Sequence, residues 1–579
     1  MYLYRLGLIT HVRKRVTLHE AMTDQGSGSF EMTMQQTPLS MTRLLKRGAQ
    51  LFPNEEIVTL TAAGRQRQSY RETWARAGQL ANALAAHGIG AADRVASFMW
   101  NNARHLELYQ AVPCMGAVLH TLNIRLSPQD LEYIINHARD RVIVVDQELL
   151  PALEALAGRI PSVELLIICR EAGTEPVETS LAPVIDYEDF ITGQASEYDW
   201  PELDENAPLG LCYTSGTTGE PKGVMYTHRS TYLHTITSAM TDVIRLSTTD
   251  SLCGIVPMFH AMGWGLPFTA TMLDVKQVMP HRYMIPEKLI ELIEAEAVTV
   301  SAGVPTIWQG VKAVLETNPG KYDLSHLDRA TCGGAAPPPS LIRWYWDALG
   351  VEMIQGWGMT ETNPIGTIAR RINKRSDLTL DENAQFENVS KAGLPLAGLD
   401  IDIFDEQFNP LPHDGQAVGE LLIRGPWICS EYFENPQPDK FHGDWLVTGD
   451  VAAIDAEGYV IISDRSKDLI KSGGEWISSV DLENHLVAMP GVRLAAVVAQ
   501  PHPKWDERPV AILVLETDAS APDLQTVRQH CSQRFARWQL PDDVLIESDL
   551  PLTSTGKIDK KTIRAKLADN GYQLPELMT

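Results

Sequence analysis

Apolar and polar positions along the chain follow two periods. Between Arg71 and His87, the residues Trp74, Ala77, Leu80, Ala81 and Leu84 recur at the spacing of a helix buried on one face, and Gly88 stands where it would end. Arg94–Trp100 then predicts a strand and residues 105–119 a second helix. Val142–Val145 is an apolar run between charged neighbours, the pattern of a strand covered on both faces, and Leu209–Tyr213 is a second such run. Strands alternating with helices predict crossover units and largely parallel sheets. The texture holds from about residue 35 to 463 and grows strand-rich from 392, with Gly419–Arg424 and Tyr459–Ile462 as strands. It changes after Asp464. A charge-dense stretch leads into a helix at Val480–Val487, strands at Leu494–Ala499 and Pro509–Glu516, a helix at Asp523–Phe535 and a strand at Asp543–Ile546.

The predicted fold is therefore α/β. A large N-terminal domain of mixed, mostly parallel sheets flanked by helices, with a strand-rich subdomain, spans residues 35–463. Residues 464–471 form a linker or hinge, and 472–579 a small α+β C-terminal domain, within the usual size of a domain. Residues 1–34 carry Arg5, Arg13, Lys14 and Arg15 but no apolar core with a cleavage site, so they read as an extension, disordered or non-native, rather than a signal peptide.

Composition narrows the classes. Lys plus Arg number 49 against 74 for Asp plus Glu, a formal charge of −25, which argues against non-specific nucleic-acid binding and a polybasic membrane footprint. The seven cysteines form no CxxC pair, which disfavours a disulfide framework and fits a reducing cytoplasm. Ser251–Leu273 is free of charge and long enough to span a bilayer, yet Pro257, Pro267, His260, Gly254, Gly263 and Gly265 would break a lipid-facing helix. It reads as a buried strand and loop beside a pocket.

The strongest chemical signal is Tyr213-Thr-Ser-Gly-Thr-Thr-Gly-Glu-Pro-Lys222-Gly223. An apolar strand enters a loop of small residues in which backbone N–H groups and the hydroxyls of Thr214, Ser215, Thr217 and Thr218 can converge on an anion, helped by Gly216 and Gly219. Lys222 adds a positive charge. The spacing is not that of a P-loop NTPase, because Pro221 precedes the lysine and Gly223 follows it.

This loop resembles the signature of the AMP-forming adenylating enzymes: acyl-CoA synthetases, luciferases and the adenylation domains of peptide synthetases. The resemblance covers nearly the whole chain from about residue 38, because the family's other motifs follow in order. They are Gly333-Gly-Ala-Ala336, Gln355-Gly-Trp-Gly-Met-Thr-Glu361, Thr448-Gly-Asp450, Asp464–Leu469, Lys471-Ser-Gly-Gly-Glu-Trp476 and Pro551-Leu-Thr-Ser-Thr-Gly-Lys557.

Each motif also has a physical reading. Glu361 offers the single carboxylate that, with phosphate oxygens and water, commonly holds Mg²⁺; the resemblance places Thr214 at the same metal. Trp357, flanked by Gly356 and Gly358, can stack on a flat base, where the family usually has Tyr. Gly333, Gly334 and Ala335 would let backbone approach the base, with Gln355 and Thr360 beside it. Asp450 can accept the ribose hydroxyls, and Arg465 can reach the same sugar. Lys557, read alone, is a surface lysine; the resemblance makes it the adenylation catalyst, an ammonium favouring the charge that gathers in the transition state. Because it belongs to the small domain, that domain must close over ATP.

The resemblance further implies that Lys467 is the hinge, with Lys471 just beyond it, and that the small domain is mobile. Gly473 and Gly474, with Trp476, would line the passage for the CoA pantetheine arm. His260 reads either as a packed core histidine or as a pocket wall. Trp264 matches a tryptophan that gates the fatty-acid tunnel in medium- and long-chain fatty acyl-CoA synthetases, the branch this sequence looks closest to, with Gly265 and Val304 beside it. No charged residue stands in these segments to bind a substrate's polar tail.

The expected protein is thus a cytoplasmic acid–CoA ligase that uses ATP, Mg²⁺ and coenzyme A. It would form acyl-AMP with release of pyrophosphate, then the thioester with release of AMP, acting on a medium- to long-chain fatty acid. The alternatives are the same chemistry on a short thioether, branched or aromatic acid, and a stand-alone amino-acid adenylating enzyme. A regulatory nucleotide binder without catalysis would be expected to lack Lys557 or Glu361. Homodimers are common in this branch, and a homodimer is left open.

Overall fold

The computed structural model describes residues 33–181, 183–214, 220–465, 467–473, 475–517, 519–553 and 557–575; its contacts divide the chain into Met1–Pro38 and Leu39–Thr579. In the first unit, residues 33–38 carry no helix or strand. The predicted extension therefore falls almost wholly outside the described residues.

Within the second unit the described residues form four sheets. One has seven strands in the spatial order Val184–Asp186, Leu165–Cys169, Val142–Asp146, Arg94–Phe98, Val118–Thr121, Pro208–Thr214 and Lys222–Thr227. Every neighbouring pair is parallel except the last. All of Val142–Asp146 is buried, as its unbroken apolar run predicts. The helix Tyr70–Ala86 packs Ala77, Leu80, Ala81 and Leu84 into the adjoining core and is opened by a Ser69/Glu72 capping box. Gly88, at φ +88, lies just past its end.

The second predicted helix is shorter than its apolar pattern suggested. It covers Ala103–Cys114, and Val118–Thr121 is a strand. Gly116 at φ +91 turns the chain between them. A short, wholly apolar run cannot by periodicity be told from the end of a buried helix.

The nine-stranded sheet has a parallel centre running Glu352–Gly358, Arg329–Gly333, Val300–Gly303, Ser251–Gly254, Lys276–Met279 and Glu56–Thr61, with antiparallel strands at both edges. The charge-free stretch resolves into the strand Ser251–Gly254, a tight turn at Ala261–Gly265 and the helix Leu266–Leu273. Among the described residues no helix is long and apolar enough to cross a membrane.

A third, antiparallel sheet holds Asp400–Phe404, Gly419–Arg424, Trp445–Ile454 and Val460–Arg465. Its last strand runs through Asp464 and Arg465, so the first two residues of the predicted linker are still paired, Asp450 opposite Arg465. The fourth sheet contains Ile470–Ser472, Glu475–Ile477, Val492–His502, Asp506–Leu515 and Asp543–Ile546. Helices Ser479–Val487, Leu524–Cys531 and Lys560–Asp569 pack against it around a core of its own that includes Ile470, Leu482, Val497 and Leu513. The predicted helix Asp523–Phe535 is thus shorter at both ends, with Asp523 serving as its cap.

Candidate active site

Strands Pro208–Thr214 and Lys222–Thr227 pair with Thr214 opposite Lys222, so the predicted phosphate loop leaves and rejoins one sheet edge. Ser215, Gly216, Thr217, Thr218 and Gly219 lie outside the described residues. The Lys222 ammonium donates to Gln437 Oε1 at 2.8 Å and sits 5.2 Å from the centre of the Tyr432 ring. The Tyr432 hydroxyl donates to Glu361 Oε1 at 2.7 Å. Glu361 opens no large acidic cluster. Its other oxygen has no hydrogen-bond or ion-pair partner among the described residues, and the residue as a whole is 6% exposed. No group of three or more His, Cys, Asp or Glu side chains able to hold a metal occurs among the described residues. One free carboxylate oxygen in a buried setting, completed by phosphate and water oxygens, fits magnesium.

Asp450 is clamped from two sides. Trp357 Nε1–H donates to its Oδ2 at 2.8 Å, and Arg465 Nε lies 3.2 Å from its Oδ1. The turn before it is fixed by the Thr448 hydroxyl, which accepts from Asp450 N–H and donates to Leu421 C=O. Trp357 is not simply left open by its glycines. A Cβ at Gly358 would lie 1.8 Å from the Pro364 carbonyl oxygen, so that glycine is required by backbone crowding. Gln355 is buried on the same strand, and its Oε1 has no hydrogen-bond partner among the described residues. Thr360 is buried at the start of the turn that carries Glu361.

Lys557 reaches this same region from the fourth-sheet side of the molecule. A Cβ placed on Gly334 would meet Lys557 Cε at 3.3 Å and Val304 Cγ1 at 3.4 Å; one on Gly333 would meet the Trp264 ring at 3.0 Å. The space above the two glycines therefore holds the Trp264 indole and the lysine stem, while Ala335 is exposed. Burial pushes the Lys557 ammonium down to about 8; Arg465 and Lys467 repel it further and Asp450 partly offsets them. Lys467 is itself lowered, by desolvation first and then by Arg465 and Arg564. The structure thus brings together Lys557, Gly334, Val304, Trp264, Asp450 and Arg465.

The acyl segment is held in a strained form. Ala261, Met262, Gly263, Trp264 and Gly265 all have φ between +43° and +74°. A left-handed residue other than glycine costs roughly 1–2 kcal/mol, so the three non-glycines here store on the order of 3–6 kcal/mol. Asn101 anchors the stretch that precedes this segment, from the end of a strand of the neighbouring sheet. Its amide donates to the carbonyls of Gly254 and Val256 at 2.8 and 2.7 Å, and Met258 N–H donates to its Oδ1 at 2.8 Å. The Tyr109 hydroxyl donates to Met258 C=O. Gly265 packs on His234, which would lie 2.8 Å from an added Cβ. His260 is pushed down to about 3 by burial, then by Lys557 and Arg125, so its imidazole is neutral. Behind the segment, Met258, Gly263, Leu266, Val278 and Met279, with Asn101 and Gln277, line a cavity of about 20 Å³.

Two of the predicted CoA-passage residues, Gly473 and Trp476, lie on a hairpin of the fourth sheet. Gly473, at φ +62, turns the hairpin that pairs Lys471 with Trp476, and an added Cβ would lie 3.0 Å from Trp505. Trp476 is 48% exposed, with the Lys471 ammonium 5.6 Å from its ring. Gly474 lies outside the described residues. Sequence reasoning missed Tyr432, Gln437, Asn101 and Tyr109. No periodicity marks the first two, but a pair of asparagines closing the apolar strand Arg94–Phe98 was a signal for Asn101.

A buried Glu361 held by Tyr432, the Trp357–Asp450 pair and a half-buried lysine whose charge is felt by Asp450 are compatible with a nucleotide-activating site. The chain belongs to the AMP-binding enzymes: that family's model matches residues 45–433, and the model of the AMP-binding enzyme C-terminal domain matches 481–557. Within the family it is similar to CoA ligases. A long-chain-fatty-acid–CoA ligase of Thermus thermophilus is 42% identical over 552 residues, which is 94% of this chain and 98% of the other. A 3-methylmercaptopropionyl-CoA ligase of Ruegeria lacuscaerulensis is 40% identical over 537 residues, 93% and 98% of the two chains. Among solved structures, the anthranilate CoA ligase AuaEII in complex with anthranoyl-AMP matches with a TM-score of 0.82 at 26% identity, covering 93% of this chain and 100% of that one.

Proposed function

We propose that this protein is an AMP-forming acid–CoA ligase whose acid is a medium- to long-chain fatty acid. The observation that carries the reading is the position of Lys557, with its Cε against Gly334 and its charge felt by Asp450 and Arg465. In the first half-reaction a carboxylate oxygen bonds to the α-phosphorus of ATP and the bond to pyrophosphate breaks. The Lys557 ammonium stands where negative charge gathers, and one such group is worth about 10²–10³ in rate. Lys222 and the Thr214 loop hold the outer phosphates, Asp450 takes the ribose, and Trp357 both stacks and keeps Asp450 turned. Glu361 and Thr214 would hold magnesium, which when bound neutralises phosphate charge.

In the second half-reaction the CoA sulfur bonds to the acyl carbon, the acyl–oxygen bond breaks, and AMP leaves with that oxygen. An arrangement with Lys557 in the site serves the first step alone. The stretch between the paired Arg465 and Ile470, with Lys467 as the hinge residue, therefore lets the C-terminal domain swing to present Gly473 and Gly474. A cytoplasmic location is supported by seven unpaired cysteines.

A second reading, a short thioether acid, is supported by the likeness to 3-methylmercaptopropionyl-CoA ligases, one of them 40% identical over 537 residues. AMP release measured with acids from acetate to palmitate, plus thioether and aryl acids, separates the two. Highest kcat/KM with long alkyl acids supports the first reading, a preference for the short thioether acid supports the second, and activity with amino acids alone overturns both.

A further inference from the structure

The segment that joins the third-sheet strands Gly419–Arg424 and Trp445–Ile454 touches both the turn that carries Glu361 and the strand that carries Lys222 and Gly223. Cys429 N–H donates to Glu361 C=O at 2.8 Å, and Phe433 N–H donates to Gly223 C=O at 2.8 Å. Between them stands Tyr432, 5% exposed. Its hydroxyl meets Glu361 Oε1 at 2.7 Å, and its ring lies 5.2 Å from the Lys222 ammonium. Gln437, from the same segment, accepts from Lys222 at 2.8 Å.

From this geometry we infer that Tyr432 is a positioning residue for the nucleotide-activation step: its hydroxyl fixes the Glu361 carboxylate so that Oε2 faces the cation, and its ring holds Lys222 for the outer phosphates. A carboxylate on a side chain with rotatable bonds would otherwise sample several orientations, and each immobilised rotamer carries an entropic cost that pre-organisation removes before the ligand arrives. The ring face offers Lys222 an attraction that keeps the ammonium intact while it exchanges Gln437 for phosphate oxygens.

The inference rests on the adenylating reading, and its test separates the two. Tyr432→Phe keeps the ring and its packing and removes the hydroxyl. The affinity for Mn²⁺ in the presence of ATP, read by electron paramagnetic resonance, is expected to weaken about tenfold, the size of one hydrogen bond to a charged group. In acid-dependent ATP–pyrophosphate exchange the KM for the metal–ATP complex rises by a similar factor while the KM for the acid stays within twofold. In a Glu361→Gln background, Tyr432→Phe adds less than twofold to either readout, because its target is already gone. Unchanged Mn²⁺ affinity in Tyr432→Phe, or effects that multiply in the double variant, would overturn the positioning role while leaving the ligase reading intact. A wild-type protein with no acid-dependent exchange would overturn both.

Discussion

Raising the pH from 7 to 9 should slow the first half-reaction and speed the second. Lys557 acts as an ammonium, and burial between the Gly334 backbone and the Arg465 and Lys467 charges holds it near 8. Its protonated fraction is then about 0.9 at pH 7 and about 0.1 at pH 9. The neutral amine forfeits most of a factor of about 10²–10³, so kcat/KM for ATP falls about ninefold across that interval. The specificity constant is the proper readout because it reports the free enzyme; bound triphosphate pulls the lysine back up and delays the fall in kcat. A free thiol near 8.5 becomes more ionised over the same range, so thioester formation from supplied acyl-AMP rises. ATP–pyrophosphate exchange and acyl-AMP consumption, each followed from pH 6.5 to 9.5, give the two profiles. Lys557→Arg supplies the control, because its guanidinium stays charged throughout and any residual exchange should lose the alkaline fall. A wild-type kcat/KM for ATP that is flat between pH 7 and 9.5, or a fall equally present in both half-reactions, would refute the assignment.

Three further outcomes are expected. Trp264→Ala removes the indole lying over Gly333 and should shift the acid profile in kcat/KM towards longer chains; an unchanged profile takes Trp264 out of the pocket. Trp357→Phe keeps a ring but frees Asp450 Oδ2, so the KM for ATP should rise about tenfold with the KM for the acid unmoved; a Phe variant with wild-type KM values would deny Trp357 any hold on Asp450. Asn101→Ala leaves two carbonyls and an N–H without their partner, at about 1–3 kcal/mol each if they stay dry, and should lower the urea midpoint while raising the KM for the acid. Tyr109→Phe should do the same more weakly, and a lowered midpoint with unaltered acid KM in both would show that the clamp serves folding alone.

The sheets were legible because buried parallel strands such as Val142–Asp146 and Leu209–Tyr213 leave unbroken apolar runs, and because Gly88 ends a strongly periodic helix. The end of Ala103–Cys114 was not legible, since Ala117–Leu119 extends the apolar pattern into a strand and only the backbone of Gly116 separates them. In the site, residues marked by local motifs converge: Asp450, Arg465 and Lys557. What spacing cannot reveal is who holds them. Tyr432 lies 71 residues from Glu361, and Asn101 lies 157 from Met258, so each contact exists only once two sheets pack. The glycines were read for the ligand's sake, whereas Gly358 is demanded by the Pro364 carbonyl.

The measurement that bears most directly on the central claim follows one oxygen atom. An acid labelled with ¹⁸O in its carboxylate is incubated with the enzyme, ATP, Mg²⁺ and CoA, and the nucleotide product is read by mass spectrometry. Attack by the carboxylate on the α-phosphorus, followed by cleavage at the acyl carbon, delivers one labelled oxygen into AMP for every thioester made. Unlabelled AMP, or ADP with label in inorganic phosphate, would contradict the account.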